Sequence, residues 1–440
     1  MINLRSLRDS FEGVVPSIIA TSDPAGVPNI SYLSHVHFVD DEHVALSNQF
    51  FSKTAANVQF SGLASVMVVN GRTGQQHVLH LRYIRSDREG PLYERLRVHL
   101  AVGAASQGMR DVMRLRAVDI YRVVSIEAIV ATDPLEETPA EPPPADLLAG
   151  TRAVCRRLAL AEDFETRLDQ LVQGLVEYFG FRHIVIAVPD ENQTNLVTIA
   201  SHGYESTGIA AETSMGEGVI GAAASNRLGV RVSDLGRANR YVAAVSKQNR
   251  EQLTQIPFPG LAAPRSQMAV PVIRGERLLG VIFVEAEEAF AFSHADEDAL
   301  EIIALHLASA FEQARAPALN TAAGQSMLKA ERPDEGSFTM RYDAGDGSVF
   351  FNDDYLIRGI PGRLLHHFIT HYLASGTVDF TNRDLRRDSS LQLPEYKDNL
   401  ETRLILLRRR LEEKGAPIQL SRPARGAVRL KVLASPNLLF

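Results

Sequence analysis

The alternation of apolar and polar positions divides the chain into three blocks, separated by two stretches that have little to bury. Residues 136–146 are Pro-rich and acidic, and residues 316–337 combine Ala, Gly and Pro with polar residues. Neither stretch has the apolar periodicity of a helix or a strand, so both are predicted to be linkers. The predicted domains are residues 1–134, 150–315 and 338–440, and the predicted linkers are residues 135–149 and 316–337.

The first block has the period of two that is typical of β-strands. Two stretches, 52–60 and 92–102, have a helical pattern instead. A turn composition at residues 22–26 favours a hairpin between the first two strands. The block is therefore predicted to be a small antiparallel β-barrel with a few helices. Its predicted strands are residues 17–20, 29–38, 44–47, 64–70, 77–85 and 119–131.

The second block alternates helices and strands, which indicates an α+β domain with an antiparallel sheet flanked by helices. Residues 164–179 carry one apolar stripe at helical spacing. A glycine-rich turn at residues 215–221 is predicted to begin another helix. The other predicted elements are strands at 184–188 and 196–201, a hairpin of 268–273 with 278–285, and a helix at 296–315.

The third block is predicted to run strand, strand, three helices and hairpin, which is the order of a winged helix-turn-helix domain. The last and longest helix has one apolar stripe facing the core, formed by Leu400, Leu404, Leu407 and Leu411. The predicted helices are residues 361–374, 382–388 and 393–414, and the predicted strands are 348–351, 355–358, 378–380, 418–420 and 428–432.

Charge distinguishes this last block from the rest of the chain. The whole chain has a net charge of -7, yet residues 355–440 contain 15 basic and 8 acidic residues, so the first 354 residues carry -14. A basic module on an acidic body is typical of nucleic-acid-binding proteins. A solvated basic helix would give the same count, so the pattern of residues has to decide.

Cysteine usage and hydropathy limit the protein class. Cys155 is the only cysteine, which excludes an intramolecular disulfide and a Cys-rich zinc module. Charged residues near the N-terminus argue against a signal peptide, and no apolar run is long enough for a membrane span. The expected location is the reducing cytoplasm, with no membrane partner.

The run PSIIATSDPAGVPNISYLSHVHFVDDEHVALSNQFFSKTAANV resembles the opening of the FMN-binding split barrels related to pyridoxamine 5'-phosphate oxidase, and the resemblance covers about residues 11–130. It implies a homodimer with FMN at the subunit interface, or haem or deazaflavin in its place. Residues 47–54 join a predicted strand to a helix, where N–H groups, hydroxyls and an ammonium suit a phosphate. The alternative is that Ser52 only caps the helix and Lys53 is solvated. The predicted FMN-binding residues are Ser47, Asn48, Ser52, Lys53, Thr54 and Asn57.

The second block resembles a GAF domain over its whole length, through MGEGVIGAAASNRLGVRVSDL, SQMAVPVIRGERLLGVIFVEA and FSHADEDALEIIALHLASAFEQA. GAF domains bind small ligands between sheet and helices, or serve only as dimerisation units, so the resemblance implies a small-molecule ligand or a dimer contact. If the pocket is polar, its predicted lining is His183, His202, Tyr204 and Asp234, each of which is equally explained as a structural residue.

Three more specific ligands are not expected in this block. Gly216, Gly218 and Gly221 match the dinucleotide fingerprint, but the preceding residues are not a buried parallel strand. Asp296 and Glu297 match half of a cyclic-nucleotide signature, yet Ser293 is better explained as a helix cap. Cys155 precedes the domain core, so no thiol is placed to hold a bilin.

The run NLETRLILLRRRLEEKGAPIQLSRPARGAVRL resembles the recognition helix and wing of the output domain of two-component response regulators, although Ala427 and Val428 replace the usual aromatic of the wing. The resemblance implies a helix in the major groove of double-stranded DNA. Helical spacing places the arginines on both flanks of the apolar stripe and points Thr402 and Arg409 outward. The alternative is a winged helix used only for protein contacts. The predicted DNA-binding residues are Thr402, Arg403, Arg408, Arg409, Arg410 and Arg425.

Histidine groups at His35 and His37, at His77 and His80, and at His366, His367 and His371 invite a metal or haem interpretation. None has a further ligand at a matching spacing, so no metal site is predicted.

Together these observations predict a one-component transcriptional regulator that senses a flavin, a redox state or a small ligand and binds DNA through its C-terminal domain. The alternative is an FMN-dependent oxidoreductase regulated by its GAF and C-terminal domains. The chain has no Ser-His-Asp arrangement or P-loop, so beyond a cofactor no catalytic group is predicted. A third interpretation is a flavin-free scaffold whose sensor domains only dimerise.

Overall fold

The structure is a computed structural model that describes residues 3–11, 15–33, 35–49, 52–106, 115–129, 146–235, 256–315, 336–393, 400–424 and 426–439. The strands of these residues form a seven-stranded, a six-stranded, a four-stranded and a three-stranded sheet. The first sheet belongs to an N-terminal domain, the second to a middle domain, and the last two to a C-terminal domain. No helix in this part of the chain combines the length and hydropathy needed to cross a membrane.

The N-terminal domain is an antiparallel half-barrel with strand order β2-β1-β5-β6-β7-β4-β3. The predicted strand 29–38 is two strands, which lie at opposite edges of this sheet. Leu33 and Val36 are both buried, and residues three apart point to opposite faces of one continuous strand, so the chain has to change direction between them. The elements are a 3-10 helix Leu4–Ser10, β1 Ser17–Ser22, β2 Pro28–Leu33, β3 Val36–Phe38, β4 His43–Asn48, α1 Ser52–Ser61, β5 Leu63–Val69, β6 Gln76–Asp87, α2 Pro91–Ser106 and β7 Ala117–Ile129.

The middle domain is an α+β fold whose antiparallel sheet, in the order β10-β9-β8-β13-β12-β11, is covered on both faces. Ile184 and Ile186 pack with the helices α3, α4 and α6, whereas Val185 and Ala187 pack with α5. Its elements are α3 Leu147–Leu160, α4 Phe164–Phe179, β8 His183–Pro189, β9 Asn195–His202, β10 Glu212–Ser214, α5 Gly218–Asn226, β11 Val230–Val232, β12 Ser266–Arg274, β13 Arg277–Ala286 and α6 His294–Arg315.

Two of the excluded motifs have a structural explanation. The strand before Gly216, β10, is a short edge strand that runs antiparallel to β9, so the glycines do not form a dinucleotide-binding turn. Ser293 caps α6, because its hydroxyl accepts a hydrogen bond from the Asp296 N–H at 3.2 Å.

The C-terminal domain joins its helices to two small sheets, in the orders β16-β15-β14-β20 and β17-β19-β18. Strands β14 and β20 were not predicted; they pair in parallel although they are the first and last strands of the domain. The elements are β14 Ser337–Tyr342, β15 Val349–Phe351, β16 Asp354–Ile357, α7 Gly359–Ser375, β17 Asp379–Thr381, α8 Asn382–Arg387, a 3-10 helix Ser389–Leu391, α9 Leu400–Glu413, β18 Ile418–Ser421, β19 Ala427–Val432 and β20 Ser435–Leu439.

Ion pairs join the middle domain to both neighbours. Arg8 of the half-barrel lies 2.8 Å from Asp298 of α6. On the other side, Arg363 of α7 lies 3.0 Å from Glu191, and Arg358 pairs with Glu212. The middle domain is therefore the body on which the other two domains pack.

Candidate functional site

Helix α9 is buried on two opposite sides. Its predicted leucine stripe packs into the core of its own domain, against α7 and β18. Ile405 and Leu406, on the other side, are 0% and 2% exposed, and α9 contacts β9 and α6 of the middle domain. The side of the helix that points away from its own core is therefore covered by the middle domain.

The predicted DNA-binding arginines are committed to contacts within the protein. Arg403 donates to the carbonyl of Pro189 at 2.9 Å. Arg409 donates to the carbonyl of Ile199 at 3.2 Å and to the Asp169 carboxylate at 2.6 Å.

One buried carboxylate lies at the centre of this interface. Glu165 accepts hydrogen bonds from both Arg408 and Arg409, and its side chain is 9% exposed. Arg410 instead faces its own domain, where it donates to the carbonyl of Leu356 at 2.9 Å. In this arrangement the middle domain supplies an acidic and apolar surface against these groups, and DNA binding by these arginines stays a prediction.

Thr402 and Arg425 are the two remaining residues of the predicted DNA-binding set. Thr402 points away from the core of its own domain as predicted, but it is buried. Arg425 lies outside the described residues, so its predicted contact stays a prediction.

The predicted FMN-binding residues lie around the start of α1, but most of their polar groups are already paired. Thr54 accepts from Asn29 at 3.0 Å, and Asn57 donates to Thr21 at 3.1 Å. Ser47 and Thr54 line a cavity of about 10 Å³, which has room for about one water molecule.

Three further residues complete this group. Asn48 donates to Asp119 at 3.0 Å, whereas the Lys53 side chain is exposed. Ser52 is the first residue of α1. A phosphate does not fit between Ser47 and Thr54 in this arrangement, so FMN binding stays a prediction.

The predicted pocket residues of the middle domain line neither the cavity beside Ser47 and Thr54 nor the larger cavity described below. The His183 and Tyr204 rings are in contact, with centroids 5.4 Å apart, and His202 is exposed on the end of β9. Asp234 is buried and pairs with Arg265 at 3.0 Å. Burial and the nearby Glu285 raise the pKa of the Tyr204 hydroxyl, so this group stays protonated.

A larger cavity, of about 320 Å³, lies between the half-barrel and the middle domain. Five elements form its wall: the first 3-10 helix, β3, α2, β11 and α6. Cationic and imidazole groups dominate this wall, and Glu297 is the carboxylate among them. The charged and imidazole lining residues are Arg5, Arg8, His35, His37, Arg95, His99, Arg231, His294 and Glu297.

Glu297 holds part of this cluster together. Its carboxylate lies 3.1 Å from Arg231 and 3.5 Å from Arg95, and the side chains of Glu297 and Arg231 are each 5% exposed. Burial alone would raise the pKa of Glu297, but Arg231, His99 and Arg95 lower it to about 2. The cavity thus contains a fixed carboxylate that is already neutralised by guanidinium groups.

Three histidines of the cavity, His35, His37 and His99, have lowered pKa values. Burial lowers the pKa of His35 to about 3, and the positive charge of Arg231 adds to this effect. Burial and the neighbouring His35 also lower the pKa of His37 well below its usual value. Burial lowers the pKa of His99, whose Nε2 lies 3.3 Å from the carbonyl oxygen of Gly229.

The family model for GAF domains matches residues 161–312, which include the whole sheet, α4, α5 and all but the last three residues of α6. Residues 161–312 are a GAF domain. The prediction made from the glycine-rich turn and the hairpin is therefore confirmed. No curated protein matches the chain in sequence.

Several solved structures are similar to parts of the chain. The GAF domain of an Acinetobacter phosphoenolpyruvate-protein phosphotransferase is 19% identical, covers 40% of this chain and 96% of its own, and has a TM-score of 0.33. An FMN-binding protein from Syntrophomonas wolfei is 17% identical, with coverages of 29% and 90% and a TM-score of 0.25. HupZ from Group A Streptococcus is 22% identical, with coverages of 29% and 94% and a TM-score of 0.23.

Sequence reasoning missed two features of these sites. Ile405 and Leu406 are apolar on the side opposite the leucine stripe, a signal that α9 is buried twice. The cavity had only a weak signal, the pair His35 and His37, because its other groups come from distant elements. Among the described residues, no group of three or more His, Cys, Asp or Glu could hold a metal ion.

The neutral histidines predict a loss of stability in acid. Below pH 6.5 the unfolded chain binds a proton at His35, whereas the folded chain resists protonation until about pH 3. The unfolded state therefore binds more protons in this window, and the free energy of unfolding falls as the pH falls. We expect His35→Gln to flatten this dependence by about one proton between pH 7 and 5, measured by chemical denaturation. The exposed His202→Gln is the control; an equal change in both variants would contradict the assignment.

Proposed function

We propose that the protein is a one-component transcriptional regulator whose GAF domain covers the DNA-binding helix of the C-terminal domain. A ligand or redox event in the half-barrel and GAF domain would then control how much of this helix is free to meet double-stranded DNA. The observation that carries the proposal is the burial of the outer side of α9, with Arg408 and Arg409 on Glu165.

Three features support a nucleic-acid role for the C-terminal domain. Its last 86 residues carry +7 on a chain of net charge -7. It has three helices followed by a β-hairpin, with α9 immediately before the hairpin. The guanidinium groups that meet GAF carboxylates are the groups that would meet phosphates, since both partners are oxyanions.

We also propose that the half-barrel pairs with a second copy of the chain. An apolar row formed by Tyr32, Ile18, Met67 and Val78 crosses four neighbouring strands on the outer face of the sheet. Tyr32 is 75% exposed within the single chain. Ile18, Met67 and Val78 are half-buried. An apolar row that is partly open to solvent favours association, and a dimer would present two C-terminal domains to two half-sites.

Weakening the GAF contact should release the DNA-binding helix. We expect Glu165→Gln combined with Asp169→Asn to raise the affinity for double-stranded DNA about tenfold. The variant should increase the fraction of molecules in which the helix is free, and the apparent Kd is inversely proportional to this fraction. Fluorescence anisotropy with a pool of random-sequence duplexes at low salt measures the change. The affinity should fall steeply as salt is added, because bound arginines displace counterions from the phosphates.

The control for this experiment is Glu177→Gln. Glu177 is on the same helix α4, but it pairs with Arg157 of α3. Adding Arg409→Ala to the double variant should remove most of the gain. If the double variant binds DNA no better than the wild type, the gating proposal is wrong; if neither shows salt-dependent binding, the DNA-binding function is wrong.

The proposed dimer is tested by mass. We expect the wild type to have twice the mass of one chain in size-exclusion chromatography with light scattering, and Tyr32→Asp to shift it to the monomer, because a carboxylate would have to be buried in the interface. Leu433→Asp, at an exposed apolar residue of the C-terminal domain, should stay a dimer. A monomeric wild type would refute the proposal.

The cofactor is tested by colour. We propose that the half-barrel binds FMN, on the resemblance in residues 11–130, and expect purified protein to show a flavin spectrum and to release FMN on heating. Lys53→Ala should then lower the FMN content, since its exposed ammonium is free to meet a phosphate. A Soret band instead would indicate haem near His35 and His37, and a colourless protein would contradict the flavin proposal.

A further inference from the structure

The cavity between the half-barrel and the GAF domain exists only where the two domains meet. Arg8 and Arg95 come from the half-barrel, and Arg231 and Glu297 come from the GAF domain. Its volume of about 320 Å³ is at the lower end of the range for small-molecule pockets. The space suits an organic molecule rather than a single ion.

The wall of the cavity contains two kinds of residue. Phe11, Val36, Phe38 and Val39 are apolar, and the other lining residues carry guanidinium, imidazole and carboxylate groups. The Arg8 guanidinium lies 5.4 Å from the centre of the Phe38 ring. A matching ligand has an apolar part and an anionic part.

Several hydrogen-bonding groups in the polar part of the wall have no partner among the described residues. The Nε atoms of Arg8 and Arg95 are buried without a hydrogen-bond partner among the described residues. The His35 and His37 rings line the cavity, and in the described part of the chain no hydrogen bond is made to either ring. Buried polar groups in proteins are normally hydrogen-bonded, so such a group of donors points to an absent partner with acceptor atoms.

A cation does not satisfy these requirements. The His35 and His37 ring centres are 6.3 Å apart, and those of His35 and His99 are 5.8 Å apart. Four guanidinium groups around the same space would repel a metal ion. Carboxylate and phosphate groups, by contrast, accept paired hydrogen bonds from arginine.

We propose that this cavity binds a small organic anion, whose carboxylate or phosphate group is held by Arg8, Arg95 and Arg231 and whose apolar part lies against Phe11 and Phe38. The ligand contacts both domains at once, so its binding strengthens their attachment. The site is distinct from the predicted residues His183, His202, Tyr204 and Asp234, none of which lines the cavity.

Calorimetry with the full-length protein tests the site, without DNA and independently of the proposed regulatory function. The probes are two matched sets of small organic anions: phosphate monoesters, including nucleoside monophosphates and sugar phosphates, and di- and tricarboxylic acids. We expect at least one compound to bind with one site per chain. Binding confined to one set identifies the anionic group as phosphate or carboxylate.

The variants are matched on one helix. Arg95→Gln should weaken binding at least about tenfold, because a charge-assisted hydrogen bond in an enclosed site is lost. Arg97→Gln is the control; Arg97 is also on α2, but it pairs with Glu94 and Asn226 outside the cavity. His37→Phe removes the hydrogen-bonding nitrogens of one lining ring and should also weaken binding, which keeps the test decisive if Arg95→Gln does not fold.

The proposal is overturned if no compound of either set binds, or if the affinity is unchanged in Arg95→Gln and in a folded His37→Phe. Equal losses in Arg95→Gln and Arg97→Gln would also overturn it, since only Arg95 lines the cavity. Because DNA is absent throughout, a failure here leaves the proposed function untouched, and a failure of DNA binding leaves this site untouched.

Discussion

The arrangement of the C-terminal domain depends on the burial of helix α9 on two sides. A helix with one apolar stripe needs a single partner, but Ile405 and Leu406 add a second apolar surface opposite the leucines. Exposing that surface to water would cost about 1.5 to 3 kcal/mol for each fully buried side chain. The GAF domain supplies the second partner, and the surrounding arginines then need Glu165 and Asp169, because unpaired buried charges are expensive.

The same guanidinium groups cannot serve the GAF domain and a nucleic acid at once. Arg408 and Arg409 are within hydrogen-bond distance of Glu165 in this arrangement, and phosphate would need the same donors. In the proposed function, the acidic body of the chain and a polyanion would therefore compete for one basic helix. Salt would weaken both the contact of these arginines with the GAF domain and their contact with a nucleic acid. The equilibrium between the two contacts would therefore depend less on ionic strength than either contact does by itself.

Local patterns predicted most elements of the fold, whereas contacts between distant elements escaped prediction. The helix 164–179 was predicted at its observed ends, because Asp163 caps its start and Gly180, with φ of 69°, ends it. The parallel pairing of β14 with β20 has no local signal, since it joins opposite ends of a domain. For the same reason the cavity escaped prediction: Arg8 and Glu297 meet only after two domains have packed. The second apolar side of α9, formed by Ile405 and Leu406, is visible in the sequence. A search for a single apolar stripe does not detect it.

Helix α6 is the element that touches both sites. It begins at His294 with Glu297 in its first turn, on the wall of the cavity, and it also contacts α9. Its 22 residues make a rod about 33 Å long. A helix of this length bends little, so a small rotation at the Glu297 end would move the surface that α9 contacts. The cavity and the interface with α9 are thus connected by a single helix of the GAF domain.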